Sequence, residues 1–303
     1  MKTLWGIDLG GTKIEAVVLK PGSTPEVINR QRIPTEAGKG YEHIIGQIKK
    51  LVDKVSADTG LKPEKLGVGT PGALDPHGQT IKNSNTVCLI GKPFRNDLEA
   101  ALGIPAIFAN DANCFALAEY QMGIVQDVMP NAEVVFGIIM GTGVGGGIVA
   151  HGKIIHGRHG IGGEWGHMLL DASGGKCYCG QTGCTETILA GPHLERYYRS
   201  IGGEEGIRLP EIYRRHLDNS DVKATETMQR MVHFFGVGVA QIINVLDPDV
   251  IMIGGGVGNI DLLYTEGVEE VKKYIFNHRL DTLFVRPKLG DSAGVFGAAI
   301  LTA

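Results

Sequence analysis

The stretch "TLWGIDLGGTKIEAVVLKPG", residues 3–22, decides how the fold is interpreted. Apolar runs on either side of Gly10-Gly11-Thr12 predict a strand, a glycine turn and a second strand. A buried strand that ends in residues without a Cβ lets backbone N–H groups reach phosphate oxygens. A single turn of this kind is often only a hairpin, so the rest of the chain must show whether it binds phosphate.

Two further glycine turns follow buried strands, "GTGVGGG" at 141–147 and "GGGVGN" at 254–259. The segment "EVVFGIIMGTGVGGGIVAHGKIIHG", residues 133–157, repeats the strand–turn–strand pattern of residues 3–33, and each copy is followed by a third strand. The repetition predicts a duplicated fold with one phosphate turn in each half.

Helical patterns separate these strands. Residues 40–60 carry apolar side chains at helical spacing and end at a glycine, which is a fitting helix terminus. "AIFANDANCFALAEYQMG", residues 106–123, predicts a strand that changes into a helix at Asn110-Asp111, and long and terminal helices are predicted at about 221–246 and 290–303. The mixture indicates an α/β fold, and 303 residues suggest two lobes.

The overall charge excludes several classes of partner. The net charge of −4 and the pI near 6.2 provide no basic face for nucleic acid or for a membrane surface. The first residues lack an apolar run of signal-peptide length, and no stretch approaches the roughly 18 uninterrupted apolar residues of a membrane span. We therefore expect a cytoplasmic protein.

One glycine pattern is also typical of proteins that bind a nicotinamide dinucleotide. Gly141, Gly143 and Gly146 match G-x-G-x-x-G, which invites a nicotinamide-binding interpretation. That fingerprint requires a helix directly after the turn, whereas "GIVAHGKII" continues as a β-branched strand. The interpretation is rejected, and no Walker A motif is present.

A cluster of cysteines lies in "GEWGHMLLDASGGKCYCGQTGCTE", residues 163–186. The ligand spacing is H-x9-C-x-C-x4-C, formed by His167, Cys177, Cys179 and Cys184. Cytoplasmic cysteines stay reduced, a C-x-x-C redox pair is absent, and an iron–sulfur cluster would normally use four cysteines. Four ligands that leave no open position favour structural zinc.

Two aspartates have both a structural and a chemical interpretation. Asp8 precedes glycines and could cap a turn, but its place at the end of an apolar strand, beside the first glycine turn, favours binding of a metal ion. Asp111 lies where a strand gives way to a helix, so it could be an N-cap. It could equally be the base that accepts a hydroxyl proton in phosphoryl transfer, and the residues alone leave both open.

Taken together, "DLGGTK", "GTG" and "GGG" resemble the two phosphate turns and the adenosine turn of the actin-like (hexokinase-like) ATPases. "EWGH" with "CYCGQTGC" further resembles the ROK family of repressors, open-reading-frame proteins and sugar kinases. The resemblance extends from residue 6 to the terminal helix. Within the family the fructokinase/mannokinase type looks most similar, with N-acetylglucosamine kinase and glucokinase nearby.

This resemblance implies an α/β fold of two actin-like (ribonuclease H-like) lobes that close around a cleft, with a mixed sheet in each lobe. It implies a first lobe of residues 1–122 and a second of 123–290, which includes the zinc-binding loop 167–184. The terminal helix, about 291–303, is a candidate for returning to the first lobe.

The resemblance also implies ATP and Mg²⁺ as cofactors beside structural Zn²⁺. Asp8 would orient the metal on the ATP phosphates through water. The cofactor-binding residues of the three turns would be Gly10, Gly11, Thr12, Lys13, Thr142, Gly143, Gly255 and Gly256.

For the sugar, the resemblance makes Asp111 the catalytic base. The residues in contact with substrate would be Asn85, Asn110, Asp111, Glu164, His167 and Glu186. The implied reaction is in-line transfer of the ATP γ-phosphoryl group to a hexose hydroxyl, most simply at C6. The alternative is a sugar-responsive transcription regulator of the same family without kinase activity. Family members are often homodimers or homotetramers.

Overall fold

The structure, a computed structural model, describes residues 2–75, 77, 79–84 and 86–303. The chain divides into two compact units. The first consists of Met1–Asn131, Gly147–Gly163 and Lys288–Ala303, and the second of Ala132–Gly146 and Glu164–Pro287. The lobe boundaries expected from the sequence stay a prediction.

The described residues form strands and helices in alternation. The strands are β1 (Leu4–Leu9), β2 (Lys13–Lys20), β3 (Glu26–Pro34), β4 (Leu66–Thr70), β5 (Ala73–Leu74), β6 (Ile81–Lys82), β7 (Ala106–Asn110), β8 (Val134–Met140), β9 (Val144–Ala150), β10 (Lys153–Ile154), β11 (Val250–Gly254) and β12 (Leu283–Val285). The α-helices are α1 (Tyr41–Thr59), α2 (Phe94–Leu102), α3 (Asp111–Gln121), α4 (Ile124–Val128), α5 (Glu186–Leu189), α6 (Gly191–Ser200), α7 (Leu209–Leu217), α8 (Val222–Leu246), α9 (Glu266–Val271) and α10 (Ala293–Ile300). Short 3-10 helices include Trp165–His167 and Val257–Asn259.

The first sheet has the strand order β3-β2-β1-β4-β7. β1, β2 and β3 pair antiparallel, whereas β1, β4 and β7 pair parallel. The glycine turn connects β1 to β2, and Leu9 pairs with Ile14 on its two sides. The strand–turn–strand prediction for residues 3–22 is therefore confirmed, and the sheet is of the mixed type.

The second sheet repeats this plan with the order β10-β9-β8-β11-β12. In both sheets the third, second, first, fourth and fifth strands of the set lie side by side. β9 and β10 are antiparallel, while β8, β11 and β12 are parallel. The duplication that was expected from the glycine turns is confirmed by this common order.

The predicted helix boundaries also hold. Helix α1 ends at Gly60, whose φ of 69° places it in the left-handed region that closes helices. Helix α3 begins directly after β7. Helix α8 begins after Asp221, whose side chain accepts hydrogen bonds from the N–H groups of Lys223 and Ala224 and so caps the helix.

Helix α10 packs on the first sheet through residues that lack side chains. A Cβ on Gly67 would lie 1.7 Å from the carbonyl oxygen of Ala298, and one on Gly6 would lie 2.4 Å from the nitrogen of Ala299. Helix and sheet approach so closely that no larger residue fits at either position. The terminal helix thus becomes part of the core beneath β1 and β4.

The apolar core of the first unit lies between this sheet and helices α1 and α2. Fully buried side chains there include Trp5, Ile44, Leu51 and Phe94. Among the residues that the structure describes, no helix has both the length and the apolar character needed to cross a membrane.

Candidate functional site

Asp8 lies near the end of β1, just before the first glycine turn. The turn is fixed by a hydrogen bond from Gly10 N–H to the Lys13 carbonyl at 2.9 Å. The Thr35 hydroxyl donates to the Gly10 carbonyl at 2.7 Å. Gly11 and Thr12, at the tip of the turn, are exposed. The predicted phosphate turn therefore has a fixed backbone and an accessible tip.

The carboxyl group of Asp8 is in an unfavourable environment for an anion. Its pKa is raised from 3.8 to about 7, and burial is the largest cause. The negative charges of Asp111 and Glu15 also raise this pKa, while Lys13 and Arg32 lower it. Glu15 is itself paired with Arg30 and Arg32. A cation bound beside Asp8 would remove the electrostatic cost of its ionised form.

Asp111 is the first residue of helix α3 but does not cap it. The cap is Asn110, whose side chain accepts a hydrogen bond from the N–H of Asn113 at 2.8 Å. Asp111 is exposed to solvent, although protein atoms surround its carboxyl group closely enough that burial raises its pKa. Of the two interpretations of Asp111, the structural one as N-cap is wrong.

Asp8 and Asp111 lie close together in the first unit. Each carboxylate raises the pKa of the thiol of Cys114, which is fully buried, although burial itself is the larger cause. A Cβ on Gly294, in α10, would lie 3.0 Å from an oxygen of Asp8. The base of this acidic pair is therefore formed by residues of α3 and α10.

The second glycine turn connects β8 to β9. The N–H of Gly141 donates to the carbonyl of Gly143 at 2.9 Å, and Thr142 at the tip is exposed. Glu186, buried at the start of α5, accepts a hydrogen bond from Val144 N–H at 3.0 Å. A Cβ on Gly143 would lie 2.6 Å from the same carboxylate oxygen, so only glycine allows this contact. Glu186 thus connects the cysteine loop to the second turn.

A cavity of about 530 Å³ opens beside this turn in the second unit. Its size is in the range of small-molecule sites. The lining includes Gly141, Thr142, Gly191, Arg208, Tyr213 and Gly256. Buried Glu195 also lines the cavity and accepts hydrogen bonds from the side chain of Arg208 at 3.1 Å and from Leu209 N–H at 3.0 Å. Gly255, which precedes Gly256, has a φ of 82° and lies against the backbone at the end of β8.

The four side chains of the histidine–cysteine cluster converge as predicted. One ligand atom from each of His167, Cys177, Cys179 and Cys184 lies within 4.8 Å of all the others. The Sγ atoms of Cys179 and Cys184 are 3.6 Å apart, and Cys177 Sγ is 3.6 Å from His167 Nδ1. Tetrahedral zinc with normal bond lengths separates two sulfurs by about 3.8 Å and a sulfur from a nitrogen by about 3.6 Å. The residues present therefore fit zinc.

The other ring nitrogen of His167 has a partner that was not expected. His167 Nε2 is 3.0 Å from the hydroxyl oxygen of Tyr178, and the two rings meet edge to face with centroids 5.1 Å apart. Tyr178 occupies the gap between Cys177 and Cys179, where nothing in the sequence pattern drew attention to it.

Two more residues were predicted to contact the sugar, and three residues that line the cavity were not predicted. Asn85 lies outside the described residues. Glu164 begins the 3-10 helix that carries His167, with its carbonyl accepting from the His167 N–H at 3.1 Å. Glu195, Arg208 and Tyr213 were missed, because they come from helices α6 and α7 and the segment between them, which carry no motif.

Comparison with known proteins extends over the whole chain. It is 35% identical, over 98% of both sequences, to a protein named N-acetyl-D-glucosamine kinase from Vibrio parahaemolyticus. Among solved structures it is similar to a ROK hexokinase from Thermus thermophilus, with a TM-score of 0.86 and 32% identity over 99% of this chain and 97% of the other. It is also similar to a ROK family glucokinase from Streptomyces griseus in complex with glucose and AMPPNP, with a TM-score of 0.76 and 27% identity over 99% of both chains.

These similarities agree with the architecture of two mixed sheets. The two mixed sheets form the actin-like fold that the glycine turns indicated. The sequence model of the ROK family matches residues 4–303. On this evidence, the chain belongs to the ROK family.

Proposed function

We propose that this protein is a sugar kinase that transfers the γ-phosphoryl group of ATP to a hexose hydroxyl at C6. One observation carries the proposal: Asn110 caps helix α3, which leaves Asp111 accessible at the helix start beside Asp8. A rigid carboxylate at the start of a helix that another residue caps, next to a phosphate turn, is what phosphoryl transfer to a hydroxyl requires.

In the proposed reaction, Asp111 accepts the proton of the sugar hydroxyl while that oxygen forms a bond to the γ-phosphorus of ATP. The bond from this phosphorus to the bridging oxygen breaks, and ADP leaves with that oxygen. The raised pKa of Asp111 makes its carboxylate a better proton acceptor than an exposed aspartate. Positioning and charge neutralisation supply most of the remaining rate enhancement.

Asp8 is proposed to hold Mg²⁺ on the ATP phosphates, through water. Mg²⁺ prefers oxygen ligands, and burial next to Asp111 gives Asp8 an uncompensated charge that a cation would relieve. When bound, the ion neutralises charge on the transferring phosphoryl group. Gly10, Gly11, Thr12 and Lys13 are proposed to contact the phosphates from the first turn.

The cavity of the second unit is proposed to hold the adenosine part of ATP. Its volume of about 530 Å³ is suitable for a nucleoside. Gly256, which the family resemblance assigned to the adenosine side, lines it together with Thr142 of the second phosphate turn, while Gly255 and Gly143 shape the backbone next to it. Arg208 and Tyr213 add a cationic and an aromatic side chain.

His167 and the three cysteines are proposed to bind structural zinc, for which the ligand distances are suitable. Glu164 lies three residues before one ligand and Glu186 two residues after another, so the bound ion would order the loop between the two carboxylates. With Asn85, Asn110, Asp111 and His167, these are the proposed sugar contacts. The loop therefore serves the sugar site and not the chemistry itself.

N-acetyl-D-glucosamine is the first sugar to test, because the relative at 35% identity carries that name. The sequence resemblance had favoured the fructokinase/mannokinase type, and the proteins named above do not support that preference. Glucose follows, since the S. griseus structure contains it. The regulator alternative has less support, because all three relatives named above are kinases.

The test is a steady-state screen of hexoses and N-acetyl hexosamines with ATP, with ADP release as the signal. Asp111→Ala should lower kcat by at least about 100-fold, because a positioned base contributes that much or more. Folding should change little by circular dichroism, and calorimetry should still show sugar binding through the other proposed contacts. Asp53→Ala, on the exposed face of α1, is the control for removing an aspartate. Near-normal turnover by Asp111→Ala would refute the role of the base.

Several broader expectations remain proposals of the same kind. The lobes are proposed to be residues 1–122 with the terminal helix, and 123–290. A homodimer or homotetramer, a cytoplasmic location, and the absence of nucleic acid and membrane partners remain predictions from the family resemblance and the charge.

A further inference from the structure

Glu195 is a buried carboxylate in the wall of the cavity that is proposed to hold adenosine. The residue is only 6% exposed and comes four residues after the start of helix α6. An ionised side chain is costly to bury unless neighbouring groups compensate its charge. The partners of this carboxylate therefore show how much of it is left for a ligand.

Both protein partners of Glu195 use the same oxygen atom. Oε1 lies 3.1 Å from Nε of Arg208 and accepts a hydrogen bond from Leu209 N–H at 3.0 Å. Within the described ranges of the chain, no group donates a hydrogen bond to Oε2. The segment before α7 thus fixes the carboxyl group through one oxygen, and the other oxygen is available to a ligand in the cavity.

The place of Glu195 on α6 relates it to the second glycine turn. Gly191, the first residue of the helix, donates its N–H to the carbonyl of Gly141 at 2.8 Å. Glu195 follows about one helical turn later, about 6 Å along the axis, and helical side chains lean back towards the start of their helix. The carboxyl group therefore belongs to the part of the cavity next to the turn.

The order of groups in a nucleotide indicates what this carboxylate meets. The family resemblance assigns Thr142 and Gly143 of the turn to phosphate, and in ATP the ribose follows the α-phosphate directly while the base lies beyond it. An ionised carboxylate can only accept hydrogen bonds, and a ribose offers hydroxyl donors at its 2′ and 3′ positions. The chemistry of the ribose thus matches the free oxygen of Glu195.

We propose that Glu195 Oε2 accepts a hydrogen bond from a hydroxyl of the ATP ribose, and that it makes the protein select nucleotides that carry this hydroxyl. The inference rests on the proposed kinase function. The positive charge of Arg208 offsets that of the carboxylate, which would otherwise repel the phosphates of the same nucleotide. Arg208 is thus a positioning residue, and Glu195 is the group in contact with the ligand.

The test compares Glu195→Ala and Glu195→Gln with the wild type, using ATP, 2′-deoxy-ATP and 3′-deoxy-ATP. In the wild type, absence of the accepted hydroxyl should weaken binding about tenfold or more, both in calorimetry without sugar and in KM with it. Glu195→Ala should bind ATP about as weakly as that analogue, so the ratio of their Kd values falls to about one. Glu195→Gln should give an intermediate ratio, because a neutral acceptor forms a weaker hydrogen bond. Glu211→Gln, which removes a charge paired with Arg214 outside the cavity, should keep the wild-type ratio.

The outcomes separate the inference from the function on which it rests. A wild type that binds all three nucleotides equally, or none of them, would overturn the inference. An equal loss of affinity for all three in both Glu195 variants would also overturn it, because the residue would then act only on the shape of the cavity. Glu195→Gln fills the same space as the wild type, so it decides the matter if circular dichroism shows that Glu195→Ala does not fold. Failure of the wild type to phosphorylate any hexose would refute the kinase function, even where calorimetry shows that the ribose is recognised.

Discussion

Asp8→Asn should make the protein more stable while it removes the proposed ligand of the metal–ATP complex. The folded-state pKa of Asp8 is about 7, against 3.8 as its ordinary value. Each unit of difference corresponds to about 1.4 kcal/mol, so the ionised aspartate costs the fold about 4 kcal/mol at pH 8. The neutral amide does not carry this cost at any pH.

The sign of the pH dependence follows from the direction of the shift. A carboxyl group whose pKa is raised on folding supports stability fully below its unfolded pKa, and this support is lost as the pH rises through about 7. At pH 5 the cost is only about 2 kcal/mol. The advantage of Asp8→Asn over the wild type should therefore roughly double between pH 5 and pH 8. Titrating groups that do not interact with Asp8 are common to both proteins and cancel in the difference.

The assay is thermal unfolding at both pH values without nucleotide or divalent metal. For a chain of 303 residues the unfolding entropy is about 0.6 kcal/mol/K, so Tm should rise by about 3 °C at pH 5 and about 6 °C at pH 8. Asp53→Asn, which changes an exposed aspartate paired with Lys49, should show neither effect. A gain that is the same at both pH values, or no gain, would refute the electrostatic account of Asp8.

Two further predictions concern the metal and the packing of the terminal helix. Removal of zinc with a chelator should raise the KM for the sugar much more than the KM for ATP, because the cluster orders His167, a proposed sugar contact, and the loop beside it, and not the adenosine cavity. Equal effects on both KM values would contradict this. Gly67→Ala should destabilise the protein by at least about 2 kcal/mol, because its Cβ would lie 1.7 Å from the carbonyl oxygen of Ala298. Gly46→Ala, in α1 with nothing within 4 Å, should instead stabilise it by up to about 1 kcal/mol in denaturant unfolding.

Much of the fold could be predicted because its signals are local. The strands on each side of the first turn, the change from strand to helix at Asn110-Asp111 and the stop at Gly60 each depend on a few neighbouring residues. The histidine–cysteine cluster was also found from local information, since all four side chains lie within eighteen residues. Periodicity and ligand spacing were sufficient in these places.

The residues that were missed depend on contacts between distant segments. Arg208 and Tyr213 line the cavity because α7 packs near the second turn, and no sequence pattern records that packing. Which of Asn110 and Asp111 caps the helix is decided by side-chain geometry that composition cannot give. Tyr178 was overlooked because its contact depends on how the cysteine loop folds back on His167.

The structure of the cysteine loop gives a physical reason for the proposed zinc. The loop is anchored at its beginning by Trp165, which is buried and donates to the Gly238 carbonyl, and at its end by α5, whose four residues are all buried. Between these anchors the apolar side chains Met168, Leu169 and Tyr178 are exposed, so this part has little core of its own. Without zinc, residues 167–184 should lose their order first, while Glu186 stays bonded to Val144 N–H. Hydrogen exchange of the metal-free protein should therefore increase at His167 and Tyr178 but not in α5, and uniform exchange across the loop and α5 would show that zinc supports more of the unit than its own loop.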